Sequence, residues 1–272
     1  MLLYMVNWSL YEEKSICGAE DFMDQYVVKS DIKEGLIALG LKTGDIVMVH
    51  SSLSSFGFVE GGANTVVEAL REVIGESGTL VVPTFSRYLL GKENVWDREN
   101  TPSMMGIISE TVRGLPGAIR SSHGAHPIAA IGPKADTLCS EPYKTGFGPD
   151  SPFKKLVEMD AWILLMGVDY NRCTIIHLLE AEANVPYRFL EERKATVILN
   201  GVVHPEGSAW EYTRKEGTVN DFLPFGRLME EKGLVRIQKV GTGTQRMFRA
   251  NEMYRLGMEQ LRRDIHYLLK QN

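Results

Sequence analysis

The chain predicts an α/β fold, a largely parallel or mixed sheet covered by helices. Three observations carry this. Residues 46–50 and 79–83 are short β-branched runs that read as buried strands. Between them residues 64–74 repeat apolar side chains at helical spacing, so strand, helix and strand follow in sequence. A third apolar run, residues 161–168, repeats the strand pattern and leads into another helical stretch. The 272 residues, 44% hydrophobic and 24% charged, suffice for one large α/β domain. With no repeat, low-complexity tract or linker, residues 29–272 read as a single domain and 1–28 as an N-terminal extension of unassigned role.

Taken in order, Ser30-Asp31 opens a first helix with Ile32, Leu36, Ile37 and Leu39 apolar, closed by Gly40. After a turn at 42–45, the first strand ends in Ser51-Ser52-Leu53-Ser54-Ser55. Gly61-Gly62 leads into the 64–74 helix, which buries Val66, Val67, Leu70, Val73 and Ile74. The second strand ends in Thr84-Phe85-Ser86, and 87–103 read as irregular. A helix over 104–113, a strand over 128–131 and helices over 134–139 and 153–158 follow. Beyond the 161–168 strand, Thr174 caps a helix on which Ile176, Leu179 and Ala183 recur. Residues 195–199 and 202–203 form a hairpin about Asn200-Gly201. A helix over 222–232, strands over 234–240 and 244–248 and a helix over 251–269 close the chain.

Totals and missing motifs exclude several classes. A formal net charge of −5 argues against a general nucleic-acid binder and mildly favours a cationic small-molecule substrate. No apolar run is long enough to span a membrane, and the N-terminus has no signal-peptide pattern. Three cysteines, Cys17, Cys139 and Cys173, form no paired framework, which fits a reducing cytoplasm. Walker A and GxGxxG motifs are absent. So are HExxH and any cysteine cluster; His123 with His126, and His177 with Glu180, have a plausible ligand spacing but lack such support, and no metal is expected.

Open α/β sheets place their chemistry where strands end. His50-Ser51-Ser52-Leu53-Ser54 and Thr84-Phe85-Ser86 read either as hydroxyl-rich sites for a phosphate or carbonyl oxygen, or as plain polar turns. Arg120, Ser121 and His123 add donors from a loop, and Ser151 caps a helix that carries Lys154 and Lys155. His177 and Glu180 share one helix face. They read as a general base beside a carboxylate, or as a structural histidine with Glu180 facing solvent. Cys173 reads as a thiolate paired with His177, or as a small buried residue.

In order, the chain carries Val49-His50-Ser51-Ser52-Leu53, Gly61-Gly62, Gly78 to Ser86, Thr101 to Gly106, Arg120-Ser121-Ser122-His123, Ala129 to Gly132, Ser151-Pro152, Leu165 to Val168 and Thr174 to Glu180. Together these resemble the aminoglycoside N3-acetyltransferase family, the antibiotic N-acetyltransferases unrelated to the GNAT fold, from about residue 32 to 261. The resemblance implies a three-layer α/β/α fold with a central mixed sheet. It implies direct acetyl transfer from acetyl-CoA to the 3-N amine of an aminoglycoside, without nucleic-acid or membrane partners, and it leaves the oligomeric state open. On it, His177 is the general base, and His50, Ser51, Ser52, Leu53, Ser54, Thr84, Phe85, Ser86, Arg120, Ser121, His123 and Ser151 belong to the pantetheine and phosphate site. Glu216 matches the second of two expected acids near the base and competes with Glu180 to orient it. Arg214 stands where the first acid is expected, and Gly124 and Pro127 depart from the pattern around His123. The family gives a nucleophilic Cys173 no support. Two alternatives stand beside this: acetylation of a different amine or amino sugar, and a non-catalytic CoA-binding homologue.

Overall fold

The computed structural model describes residues 26–86, 95–140 and 142–271. Most of the N-terminal extension and the first half of the 87–103 stretch lie outside them. The strands in chain order are β1 (Tyr26–Val27), β2 (Ile46–Ser51), β3 (Phe58–Val59), β4 (Thr79–Pro83), β5 (Val95–Asp97), β6 (Ile119–Arg120), β7 (Ile128–Ile131), β8 (Trp162–Met166), β9 (Arg188–Leu199), β10 (Val202–Arg214), β11 (Arg236–Val240) and β12 (Gly243–Arg249). The helices are α1 (Lys29–Ala38), α2 (Gly62–Ile74), α3 (Ile107–Arg113), α4 (Ala135–Cys139), α5 (Pro152–Glu158), α6 (His177–Glu182), α7 (Leu223–Glu231) and α8 (Ala250–Arg263).

Seven strands form the main sheet in the order β11-β12-β8-β2-β4-β7-β6. β2 runs parallel to both β4 and β8, and the outer strands are antiparallel to their inner neighbours. The centre is apolar on both faces, as a doubly covered sheet requires. Val47, Val49, Leu80, Val82, Leu164 and Met166 pack into one cluster with α1, α2 and α3. Met48, Val81, Ile163 and Leu165 alternate into a second cluster with α4 to α8. The result is the expected α/β/α arrangement with a mixed central sheet. A smaller sheet, β10-β9-β5, carries the long hairpin. No helix among the described residues is long and apolar enough to cross a membrane.

Several boundaries differ from expectation for local reasons. The 104–113 helix begins only at Ile107, because Gly106 takes φ 100°. Within the stretch read as irregular, β5 forms and pairs in parallel with β9. The hairpin is far longer than residues 195–203, running from Arg188 to Arg214. The closing helix stops at Arg263, where Asp264 turns extended (φ −141°, ψ 106°), and Leu269 instead bridges to Asn220. Thr174 makes no cap bond; a 3-10 turn, Thr174–Ile176, precedes α6.

Gly167 joins β8 to the loop beyond it. Its φ is +68°, and a Cβ there would overlap the Ser55 side chain, whose hydroxyl donates to the Ser52 carbonyl at 2.6 Å. A left-handed non-glycine backbone alone costs about 1–3 kcal/mol. Gly167→Ala is therefore expected to lower the stability measured by urea unfolding by at least that much and to disturb the Ser52 loop. An unchanged midpoint would show that this joint tolerates a side chain.

Candidate active site

Because β8, β2 and β4 are parallel, their C-terminal ends meet at one edge of the sheet. There His50, Ser51 and Ser52 at the end of β2, Pro83 and Phe85 at the end of β4, and Gly167, Val168 and Asp169 after β8 wall a cleft of about 780 Å³. Met104, Met105, Gly106, His126, Phe147, Asn171, Arg172, Thr174 and His177 complete it. A second recess of about 600 Å³ shares Ser51, Ser52 and Gly106 with the cleft, and Leu53, Phe58, Val59, Ile107 and Ile108 make it mostly apolar.

His177 is delivered by two short turns after β8. Asp169 caps the first, accepting from the Asn171 N–H at 2.9 Å. Ile175, Ile176, Leu178 and Leu179 are buried, which fixes the helix start against the core. The His177 ring sits between Phe147 and Phe222, with centroids 5.3 and 5.2 Å away. Its side chain stays 23% exposed while that of Glu180 is 0% exposed. Glu180 Oε2 meets His177 Nδ1 at 2.5 Å, so Glu180 faces inward to the histidine and not solvent.

A buried carboxylate needs compensation. Arg188 supplies it, with Nε 2.9 Å from Glu180 Oε2. Asn220 donates from Nδ2 to Glu180 Oε1 at 2.6 Å and accepts from Arg188 at 2.8 Å. Burial pushes the Glu180 carboxyl up, but His177, Arg188 and Asn220 together outweigh it and hold it below the usual carboxylate range. Since a carboxylate only accepts, the network assigns the Nδ1 proton to the bond with Glu180 and leaves Nε2 as the ring's free lone pair.

Two more histidines line the cleft. His50 is buried, its Nε2 has no hydrogen-bond partner among the described residues, and desolvation pushes its ring down to about 3. His126 is likewise held neutral, first by burial and then by neighbouring positive groups.

The structure thus gathers His50, Ser51, Ser52, Phe85 and His177 at the cleft, with Leu53 and Ser54 in the adjoining recess. Other expected ligand residues are spent inside the protein. Arg120 donates to Thr84 Oγ1 at 3.1 Å and to the Thr84 and Thr101 carbonyls at 2.6 and 2.5 Å, and its guanidinium lies over Trp96. Ser121 bonds Tyr143 at 2.8 Å and accepts from the Ile128 N–H. His123 Nδ1 accepts two backbone N–H groups and its ring stacks on Tyr143. Ser86 donates to the Gly124 carbonyl, and Ser151 caps α5. These side chains hold loops to one another and do not line the cleft. Glu216 is exposed in the turn after β10, and the carboxylate that meets His177 Nδ1 is Glu180. Cys173 is fully buried and burial pushes its thiol up, which opposes a thiolate nucleophile.

Sequence reasoning does not single out Arg188 or Asn220. The one available signal is a lone charge, Arg188, inside the apolar junction Val185-Pro186-Tyr187-Arg188-Phe189-Leu190.

Comparison with known proteins agrees with the geometry. The family model described as aminoglycoside 3-N-acetyltransferase matches residues 48–262. The SPbeta prophage-derived aminoglycoside N(3')-acetyltransferase-like protein YokD of Bacillus subtilis (strain 168) is 35% identical, with 82% of this chain and 88% of that protein covered. Aminoglycoside N(3)-acetyltransferase VII of Streptomyces paromomycinus is 31% identical, with 86% and 91% covered. Among solved structures, aminoglycoside acetyltransferase AAC(3)-IVa is 30% identical with TM-score 0.76, covering 90% of this chain and 92% of its own, and one of its mutants is solved in complex with a gentamicin.

The desolvated His50 ring has a pH signature. Unfolded, it binds a proton near pH 6.5; folded, only near pH 3, so stability falls as pH drops below about 6.5. At pH 5 this amounts to about 2 kcal/mol. The loss of urea midpoint between pH 7 and pH 5 should be smaller in His50→Gln than in wild type. Equal losses would mean that His50 is not held neutral in the fold.

Proposed function

Because the chain belongs to the aminoglycoside 3-N-acetyltransferase family, we propose that it transfers acetyl from acetyl-CoA to the 3-N amine of an aminoglycoside, with His177 as general base. One observation carries the assignment: His177 lines the cleft while its Nδ1 is fixed 2.5 Å from the buried Glu180 carboxylate. That arrangement orients an imidazole as catalytic bases require.

The chemistry follows from the geometry. The acceptor amine attacks the thioester carbonyl carbon, a C–N bond forms, and the carbonyl electron pair moves to oxygen. Nε2 of His177 takes the proton from the amine nitrogen, and Glu180 steadies the resulting imidazolium through Nδ1–H. When the tetrahedral intermediate collapses, the C–S bond breaks and the imidazolium returns the proton to the leaving thiolate. Hydroxyls of Ser51 and Ser52, which line both the cleft and the recess, can donate to the developing oxyanion. The apolar recess beyond them suits an alkyl pantetheine arm, with Leu53, Phe58 and Ile107 as its walls. The gentamicin complex of AAC(3)-IVa supports an aminoglycoside acceptor.

A second reading changes only the acceptor. Arg214 Nη1 lies 3.5 Å from Asn220 Oδ1, which sets a positive charge beside the network that holds the base. This favours an amine carrying a neutral or anionic group over a polycation.

Thiol release measured with gentamicin- and kanamycin-type compounds and a panel of other amines separates the two readings. In His177→Ala, turnover of the accepted amine should drop by about a hundredfold to ten-thousandfold. Wild-type turnover in that variant under saturating acetyl-CoA would remove His177 from the base position.

A further inference from the structure

The His177–Glu180 pair is not isolated: one guanidinium touches both members. Arg188 Nε is 2.9 Å from the same Glu180 oxygen that meets the imidazole. One Nη lies 3.2 Å from His177 Nδ1 and 2.8 Å from Asn220 Oδ1, and the other donates to the Tyr212 carbonyl at 2.8 Å. The Arg188 side chain is only 10% exposed, so it holds one position. A guanidinium stays protonated and donates only.

From this geometry we infer that Arg188 is a positioning residue that decides where the dyad's proton sits: it keeps Glu180 ionised and in place, and it opposes protonation of the imidazole beside it. The inference rests on the reading of His177 as base. Two effects act in opposite directions on the ring. Glu180 attracts a proton to it, as any buried anion at 2.5 Å must. Arg188, a fixed cation at 3.2 Å from Nδ1, makes a charged imidazole unfavourable. With both present, Glu180 stays ionised and the Nε2 lone pair of His177 faces the cleft, free to accept the amine proton. Without Arg188, a buried carboxylate would be left with the imidazole as its only cation, and the pair would take up a proton at higher pH.

The other groups facing the dyad do not substitute for it. From β9 and the residue before it come Arg188 and Tyr187, and from β10 come Tyr212, whose hydroxyl donates to the Glu180 carbonyl at 3.5 Å, and the exposed Arg214. The loop before α7 gives the uncharged Asn220, and Phe147 and Phe222 pack on the ring. His126 is neutral through burial.

The test is an NMR titration of the His177 imidazole in the full chain, its resonance identified by loss in His177→Gln. In Arg188→Met the dyad's midpoint should move up by about 1 pH unit or more, and Arg188→Lys should restore most of the difference. In Glu180→Gln, where Arg188 faces the ring alone, the midpoint should fall below wild type. An unchanged midpoint in Arg188→Met overturns the inference. Should Arg188→Met fail to fold, as judged by circular dichroism, Arg188→Gln, which keeps a donor without the charge, decides it: a midpoint no higher than wild type refutes it. A thiol-release arm adds the kinetic signature. In Arg188→Met the acid limb of kcat should rise in step with the NMR midpoint, with kcat at neutral pH down about tenfold and KM for acetyl-CoA little changed. A uniform loss at every pH would instead indicate a merely structural part for Arg188. The titration needs no turnover, so its failure is separable from failure of the acetyl-transfer reading.

Discussion

A fully buried carboxylate is the constraint around which this molecule is arranged. Glu180 is enclosed by the protein, and an ion in that position is tolerated only with partners. Its partners come from three separate places: His177 on its own helix, Arg188 at the start of β9, and Asn220 in the loop before α7. Satisfying one charge therefore ties the long hairpin and the C-terminal half of the chain to the end of β8. Asn220 extends the tie by donating to the Leu268 carbonyl, which docks the last described segment on the same loop.

The sheet supplies what that network needs to face. Three parallel strands bring three loops to one edge, whereas the antiparallel strands outside them contribute none of the loops that follow those three strand ends. Apart from Asp169 and Arg172, which are opposite in charge, the walls are uncharged. His50 and His126 are polar in kind but neutral in fact, because desolvation outweighs their basicity. Phe85 packs edge-on against His126, and Phe147 against both His126 and His177. In surroundings of this kind a single ion pair governs the local field more strongly than it would in water.

The parts of this site that can be read from the sequence are those that depend on short spacing. His177 and Glu180 are three residues apart, so helix geometry alone brings them together. Ser51, Ser52 and Phe85 follow recognisable strands. Arg120, Ser121 and Ser151 show the opposite case. Residue type marks them as donors or acceptors, but not whether the partner is a ligand or a carbonyl elsewhere in the chain. Arg120 is consumed by Thr84 and Thr101, residues that only the fold brings to it. Asn220 meets Glu180 across 40 residues of sequence, a distance over which no pattern operates. The full hairpin escapes the sequence pattern because Glu191-Glu192-Arg193-Lys194 hides a strand that is largely solvent-facing. The last helix is shorter than its pattern because Ile265, Leu268 and Leu269 continue an apolar rhythm past the break at Asp264.

The resemblance to known acetyltransferases implies acids near the base from the end of β10. The chain places Arg214 at the first of those positions and the acid Glu216 at the second, both exposed, and reaches the dyad with an amide. The choice of amide has a physical consequence. A carboxylate at position 220 could not donate to Glu180 and would add a second anion to a buried site. Asn220 donates to Glu180 Oε1 and accepts from Arg188, so it bridges anion and cation without adding to either. The immediate surroundings of the imidazole then consist of one negative and one positive group of fixed charge. Their sum is zero while the ring is neutral. On the proposal that His177 is the base, this trio of side chains carries a net charge only while the ring holds the amine proton, the interval in which the oxyanion would form.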